Sequence, residues 1–268
     1  MAMVGIAVIF LFILMAIFAP FIAPHDPLEQ NIVERLSSPS TEYPFGTDDL
    51  GRCVLSRVIY GARISLLIAI AIVGITTAVG TVLGLISGYY GGIIDEVIMR
   101  AVDVNIAFPG LVLAIVLASI LGPGFLSLVI ALSVVGWIGY ARVIRGSVLS
   151  VKEKEFVEAA KALGVGDWRI MFQHILPNVI APVMVLAMLT MGFTILIVSG
   201  FSFLGLGAQP PTPEWGYMLN EGRSFMRTAP HLMIFPGLAI IMTVLGFNLL
   251  GDALRDTMDP SLKRVKIE

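Results

Sequence analysis

Charged and polar side chains, broken by glycines, mark one stretch, EFVEAAKALGVGDWRIMFQHILPN at residues 155–178, set between two long apolar runs. Their chemistry is that of contact. No Gly-x-x-x-x-Gly-Lys-Ser/Thr loop occurs to cradle a nucleotide's phosphates, and there is no His-Glu-x-x-His and no nucleophile elbow. His25, His174 and His231 stand alone in sequence. Polar contacts are their plain reading. A metal role is the sharper one, since His25 and His231 fall on the same side and could approach one another.

The elements that must position this stretch are apolar. Of 268 residues, 57% are hydrophobic and only 13% charged, and mean hydropathy is +0.93. A soluble domain carries about a quarter charged residues, so the composition is that of a membrane protein. A net charge of −2 excludes a generally basic nucleic-acid binder. The single cysteine, Cys53, permits no internal disulfide. Six stretches nearly free of charge, 3–23, 64–87, 104–121, 125–141, 178–208 and 228–251, predict an all-α chain with six spans, each needing about 20 residues. The fifth is too long for one upright span and contains Gly192 and Gly200, which predicts a span followed by a bent segment. The first stretch is read as a retained span, because its apolar run exceeds the roughly 7–15 residues of a signal core.

Six spans place both termini on one side. That side would hold eleven of the 17 Lys and Arg residues, among them Arg100, Arg142, Arg145, Lys152, Lys154 and Lys161. The other side would hold Arg35, Arg52, Arg57, Arg63, Arg223 and Arg227. The basic excess marks the cytoplasmic face, so residues 155–178 are expected in the cytoplasm. The expected organisation is an N-terminal membrane helix at 1–24 and an extracytoplasmic segment at 25–62. A five-span core at 63–256 follows, with the cytoplasmic loop 150–177 inside it, and then a tail at 257–268.

Within that loop, Ser150 followed by Glu153 predicts a capping box. Phe156, Ala159, Ala160 and Leu163 then recur as one apolar stripe, with Lys154, Glu158 and Lys161 off it. Gly164 stands where a helix ends in a left-handed residue. Asp167 is placed to cap a second short helix, which Pro177 would close. Two alanines and a glycine let another surface approach closely. The residues alone leave lipid contact and protein contact both open.

The same stretch resembles the EAA loop of ABC importer permeases, carried by Glu158-Ala159-Ala160, Gly164 and Leu176-Pro177 in register, with His174 where the general pattern has Ile. Further motifs resemble the C-type permeases of the dipeptide, oligopeptide and nickel branch. They are Phe45-Gly46-Thr47-Asp48, Gly51-Arg52, Ser56-Arg57 and Ser202-Phe203-Leu204-Gly205-Leu206-Gly207. Pro213-Glu214-Trp215-Gly216, Gly251-Asp252-Ala253-Leu254-Arg255-Asp256 and Asp259-Pro260 complete the set. Cys53 departs from that branch, which usually has Asp after the Gly-Arg pair. The resemblance implies a non-catalytic permease subunit of an ATP-driven importer in the cell membrane, carrying di- or oligopeptides or, alternatively, nickel or a metal chelate. It implies four kinds of partner contact: a second homologous permease, two ATPase subunits, an extracytoplasmic solute-binding protein and the bilayer, with no nucleic acid. This chain would hold no cofactor, ATP and Mg being bound by the partners. ATPase coupling would fall to Glu158, Ala159, Ala160, Leu163, Gly164, Asp167, Leu176 and Pro177.

The remaining features are less committal. Charge is nearly absent from the six stretches, which weighs against a self-sufficient secondary transporter or channel, the alternative of another class. Gradient-driven flux through the chain alone would favour that alternative. Met184, Met188 and Met191 share a helical face, where helix packing is the plain reading and lining of a translocation path the functional one. Gly80 and Gly84 form a Gly-x-x-x-Gly surface for close helix approach. Glu96 and Arg100 are spaced for an i,i+4 ion pair.

Overall fold

The computed structural model describes residues 2–258, and its elements there are helices apart from one isolated β-bridge between Thr47 and Cys53. In chain order the helices are α1 (Ala2–Ile17), α2 (Ala19–Ile22), α3 (Val54–Tyr90), α4 (Gly92–Ile106), α5 (Gly110–Leu121) and α6 (Phe125–Val151). There follow α7 (Glu155–Ala162), α8 (Asp167–Arg169), α9 (Leu176–Phe203), α10 (Trp215–Gly222) and α11 (His231–Met258). Residues 259–268, which include Asp259-Pro260 and most of the expected tail, lie outside the described residues.

Among the described residues four helices are long and apolar enough to cross a membrane: α3, α6, α9 with its lead-in from Asp167, and α11. The other two expected spans differ. Residues 104–121 fall on α4 and α5, which bend by 87° across a short break ending in Pro109 and would make a fifth span only if counted together. Proline disfavours helical backbone in the residue before it, which fits the break there. The first stretch yields the 16-residue α1 and the single-turn α2. Its helix breaks at Phe18, two residues before Pro20, whose ring would strike a carbonyl of the preceding turn.

Three boundaries also move. α3 begins at Val54, ten residues before the expected span, because Arg57 is paired inside the fold. α6 runs on to Val151, through Arg142 and Arg145. The expected bend at Gly192 and Gly200 does not form: α9 stays helical from Leu176 to Phe203.

The chain divides into two compact units. Of the described residues, the first holds 2–71, 117–130 and 191–250. In it the fully buried Trp215 meets Phe12 edge-on at 5.5 Å and donates its indole N–H to the Val58 carbonyl at 2.9 Å. Gly61 allows this approach, since a Cβ there would lie 2.7 Å from the indole. α1 packs on α11 through Gly5, whose Cβ would fall 2.9 Å from the Leu249 Cβ.

Of the described residues, the second unit holds 72–116, 131–190 and 251–258. Here the close-approach glycines pack within the chain. A Cβ on Gly80 would lie 2.5 Å from the Trp137 carbonyl, and one on Gly84 2.6 Å from that of Ala141. The core cluster of this unit joins Leu85 of α3 and Tyr140, Ile144 and Val148 of α6 to Val157, Ala160, Ile170 and Ile175. The polar stretch therefore sits on a packed apolar base.

Candidate functional site

Residues 155–175 form a hairpin of α7 and a second helical arm in the second unit. α7 starts at Glu155 behind Lys154, an extended residue whose side chain makes no cap. The expected capping box is absent: Ser150 is still inside α6, because the apolar face of that helix continues to the buried Val151. Glu155 and Glu158 in the first turn and Lys161 in the last complement the helix dipole. The end of α7 follows the sequence expectation. Gly164 has φ +74°, its N–H donates to the Lys161 carbonyl, and the Val165 N–H reaches back to that of Ala160. That pair of bonds is a Schellman motif, which needs a left-handed residue.

Two apolar stripes run along α7, and the structure buries the one the sequence reading passed over. Val157 and Ala160 are 0% and 6% exposed and belong to the core cluster. Phe156 at 39% and Leu163 at 83% face outward with Ala159 and Glu158. Ala160 thus leaves the expected stripe for the core. Trp168 and Phe172 extend the exposed face, their rings stacked at 5.6 Å. A Cβ on Gly164 would meet nothing within 4 Å.

The second arm also departs from expectation. Gly166, not Asp167, is the residue before α8, and it caps nothing with a side chain. Asp167 instead accepts a hydrogen bond from the Tyr89 hydroxyl at 2.7 Å. Pro177 does not close this arm. A π-helical run, Ile170–Ile175, leads straight into α9, with Leu176 and Pro177 in its first turn. A proline has no N–H for the carbonyl four residues back, and the wider turns lie just before it. Asn178 Nδ2 donates to the His174 carbonyl at 2.7 Å. Further along α9, Met184 is exposed, Met188 half-buried and Met191 buried, so the three do not share one environment.

In the first unit, sequence reading found the Phe45–Arg57 motif but not what it builds. Asp48 accepts the Arg52 Nε at 2.7 Å and also bonds Arg57. Glu221, on α10, accepts from the Nη2 of each guanidinium, at 3.0 Å from Arg52 and 2.8 Å from Arg57. Burial alone would lower the Arg52 pKa, but the Asp48 and Glu221 carboxylates outweigh it and raise it. Cys53 is buried in the bridge to Thr47. Glu214 caps α10, accepting the Gly216 and Tyr217 N–H groups at 3.0 and 2.9 Å and the Ser65 hydroxyl at 3.1 Å.

The histidines do not meet. His25 stacks on Tyr43 at 4.8 Å, and His231 lies 3.1 Å from the Thr47 carbonyl. Among the described residues no three His, Cys, Asp or Glu side chains are grouped to hold a metal ion. The expected Glu96–Arg100 pair forms at 3.7 Å with both side chains largely exposed, a geometry of little energetic weight.

Comparison with known proteins bears on the family and the fold. Residues 80–264 match the family described as binding-protein-dependent transport system inner membrane component. Residues 1–39 match the N-terminal TM domain of oligopeptide transport permease C. The chain is 48% identical to the dipeptide transport system permease protein DppC of Alkalihalophilus pseudofirmus, over 98% of this chain and 86% of that protein. It is 46% identical to the glutathione transport system permease protein GsiD of Pectobacterium atrosepticum, over 95% and 85%. Among solved structures, the MetNI methionine ABC transporter in an inward-facing conformation superposes with a TM-score of 0.60. Its sequence is 16% identical, and the match covers 76% of this chain and 97% of that one. That likeness establishes the fold alone. With four apolar helices of spanning length and a family match over most of its residues, the chain belongs to the binding-protein-dependent transport inner membrane components, the multi-pass permease subunits of ABC importers.

Proposed function

We propose that this chain is half of the translocation path of an ATP-driven importer of short peptides, with dipeptides and glutathione as the first cargoes to try. It spans the membrane six times, α1 and the α4–α5 pair supplying the two crossings beyond the four long helices, and both termini lie in the cytoplasm. A second homologous permease completes the path. Two ATPase subunits bind ATP and Mg below, and a solute-binding protein delivers cargo from outside. The observation that carries this reading is the hairpin's second apolar stripe. Phe156, Ala159 and Leu163 are left unburied on a helix already anchored through Val157 and Ala160. A helix with two apolar faces has its own core on one side and wants a partner on the other.

Coupling then works as a population shift between inward-open and outward-open states. Moving such an equilibrium from 1:99 to 99:1 takes about 5.5 kcal/mol of differential interaction. Closure of the ATPase pair supplies it through the hairpin, where Glu158 contacts the ATPase and Ala159 and Gly164 permit close seating. Leu163 adds apolar contact, while Leu176 and Pro177 join the second arm to α9.

The test is transport by the complex purified through a tag on this chain and reconstituted in liposomes, with radiolabelled dialanine, glutathione and a nickel chelate supplied in parallel. ATP-dependent uptake of a peptide is expected. Gly164→Val forces a β-branched residue to φ +74°, and should leave insertion intact while uptake falls at least about tenfold relative to ATP hydrolysis. Wild-type uptake in that variant would sink the coupling assignment. Uptake driven by a gradient through this chain alone would replace the whole reading with a secondary transporter.

A further inference from the structure

The inner end of α3 carries three consecutive residues, each bonded to a different element of the second unit. Ser87 donates its hydroxyl to Asp95 of α4. The Gly88 carbonyl accepts Lys152 Nζ, just past α6, at 3.0 Å. Tyr89 reaches the hairpin, and it reaches both arms. Its hydroxyl donates to Asp167 Oδ1 at 2.7 Å on the second arm, and its ring lies 5.1 Å below Lys161 Nζ in the last turn of α7. One turn earlier on α3, Leu85 is part of the buried cluster that contains Val157, Ala160 and Ile170.

These two kinds of contact do different work. Apolar packing around Leu85 holds the hairpin to α3 but is non-directional, so the hairpin can rock on it at small cost. A hydrogen bond from a ring-mounted hydroxyl to a carboxylate is directional and short. Placed at the far rim of the packed base, it fixes the angle at which the hairpin sits. We propose that Tyr89 is the positioning residue that sets the hairpin's seat, so that thrust received there moves the end of α3 and is not lost in rocking. This rests on the coupling role proposed above for the hairpin.

The experiment uses the reconstituted complex, with uptake of dialanine or glutathione and phosphate release measured in the same vesicles. Tyr89→Phe keeps the ring and its contact with Lys161 and removes one hydroxyl. Hydrolysis should continue while peptide carried per ATP falls roughly threefold to tenfold, the range expected for losing one solvent-exposed hydrogen bond of ordinary net strength. Asp167→Ala should lower the ratio by a similar factor, and the double variant no further than either single, because both remove the same bond. Amide hydrogen exchange at residues 155–163, read without nucleotide, should rise in each.

An unchanged ratio in Tyr89→Phe overturns the proposal. So does a parallel fall of uptake and hydrolysis at constant ratio, which is what general destabilisation would give, and so does additivity in the double variant. An Ala159→Cys cross-link to the ATPase separates the two readings. If the link forms while Tyr89→Phe couples normally, only the role of Tyr89 falls. If no link forms, the hairpin is not the seat of the ATPase and this inference falls with it.

Discussion

Glu214 shows how one side chain can tie a pH dependence to a structural joint. It is fully buried, and burial pushes its carboxyl above the ordinary 4.5, opposed by the Gly216 and Tyr217 N–H groups and the Ser65 hydroxyl. A raised folded-state pKa means the fold holds the proton more tightly than the unfolded chain does. Its stabilising contribution is therefore complete below the ordinary value and is lost as pH rises through the folded value, by at most about 1.4 kcal/mol per pH unit. Thermal melts of the detergent-solubilised chain between about pH 8 and about pH 5 should show the wild type gaining stability on acidification. Glu214→Gln, which has no proton to gain, should have the flatter profile. Parallel profiles would show that Glu214 is not the group responsible. The Pro-Glu-Trp-Gly run marked the place in the sequence, but not that its carboxylate would be sealed in. Gly164 was the opposite case: a left-handed C-terminal glycine is a local signal, and the residue takes that conformation in the fold. Glu221 left no local trace, because its partners Arg52 and Arg57 lie more than 160 residues away.

At the scale of single elements, hydrophobic run length predicted where apolar helices lie but not where they stop. Charge was the misleading signal at the head of α3. A lone arginine argues against helix burial until Asp48 and Glu221 are brought to it. At Pro20 and Pro109 the proline overrides the apolar run and the helix breaks. On α7 the helical period offered two stripes, Phe156 with Ala159 and Leu163, or Val157 with Ala160. Nothing local says which of two apolar faces belongs to a chain's own core. The glycine spacing on α3 was more informative, and it makes a prediction. Gly84→Leu puts a Cβ 2.6 Å from the Ala141 carbonyl and 2.8 Å from the Ile144 Cβ, so α3 and α6 must separate. Overpacking of this kind costs about 1–3 kcal/mol. Gly74→Ala, on the same helix with open space around it, should be neutral or slightly stabilising, since Gly in a helix costs about 0.5–1 kcal/mol relative to Ala. Equal melting temperatures for the two variants would contradict the packing described.

For the molecule as a whole, the proposed orientation rests on the distribution of Lys and Arg, a property visible only when the entire chain is counted. It can be read directly with thiol labels, because Cys53 is 2% exposed and offers little background. Leu163→Cys, in a chain expressed without ATPase subunits, should react with an impermeant maleimide only in inside-out vesicles. Val33→Cys, at a residue 92% exposed, should react only in right-side-out ones. The reverse pattern would invert the topology and place the hairpin beyond reach of any ATPase. Membrane class, family and the hairpin's place in the chain were legible in the sequence because composition and local motifs carry them. The four-charge joint of the first unit and the hub at Ser87–Tyr89 were not, since each is made by residues that only the folded chain brings together.

The length of α3 bears on the company this protein can keep among lipids. From Ile64 to Tyr90 no residue is charged, a distance of about 40 Å at 1.5 Å per residue, while the oily layer of a typical bilayer is about 30 Å thick. The surplus is slack. Thicker or thinner surroundings change how far the helix leans, and the nearest ionised group, Arg63, stays clear of hydrocarbon throughout, so this crossing should be indifferent to acyl-chain length over a span of several ångströms.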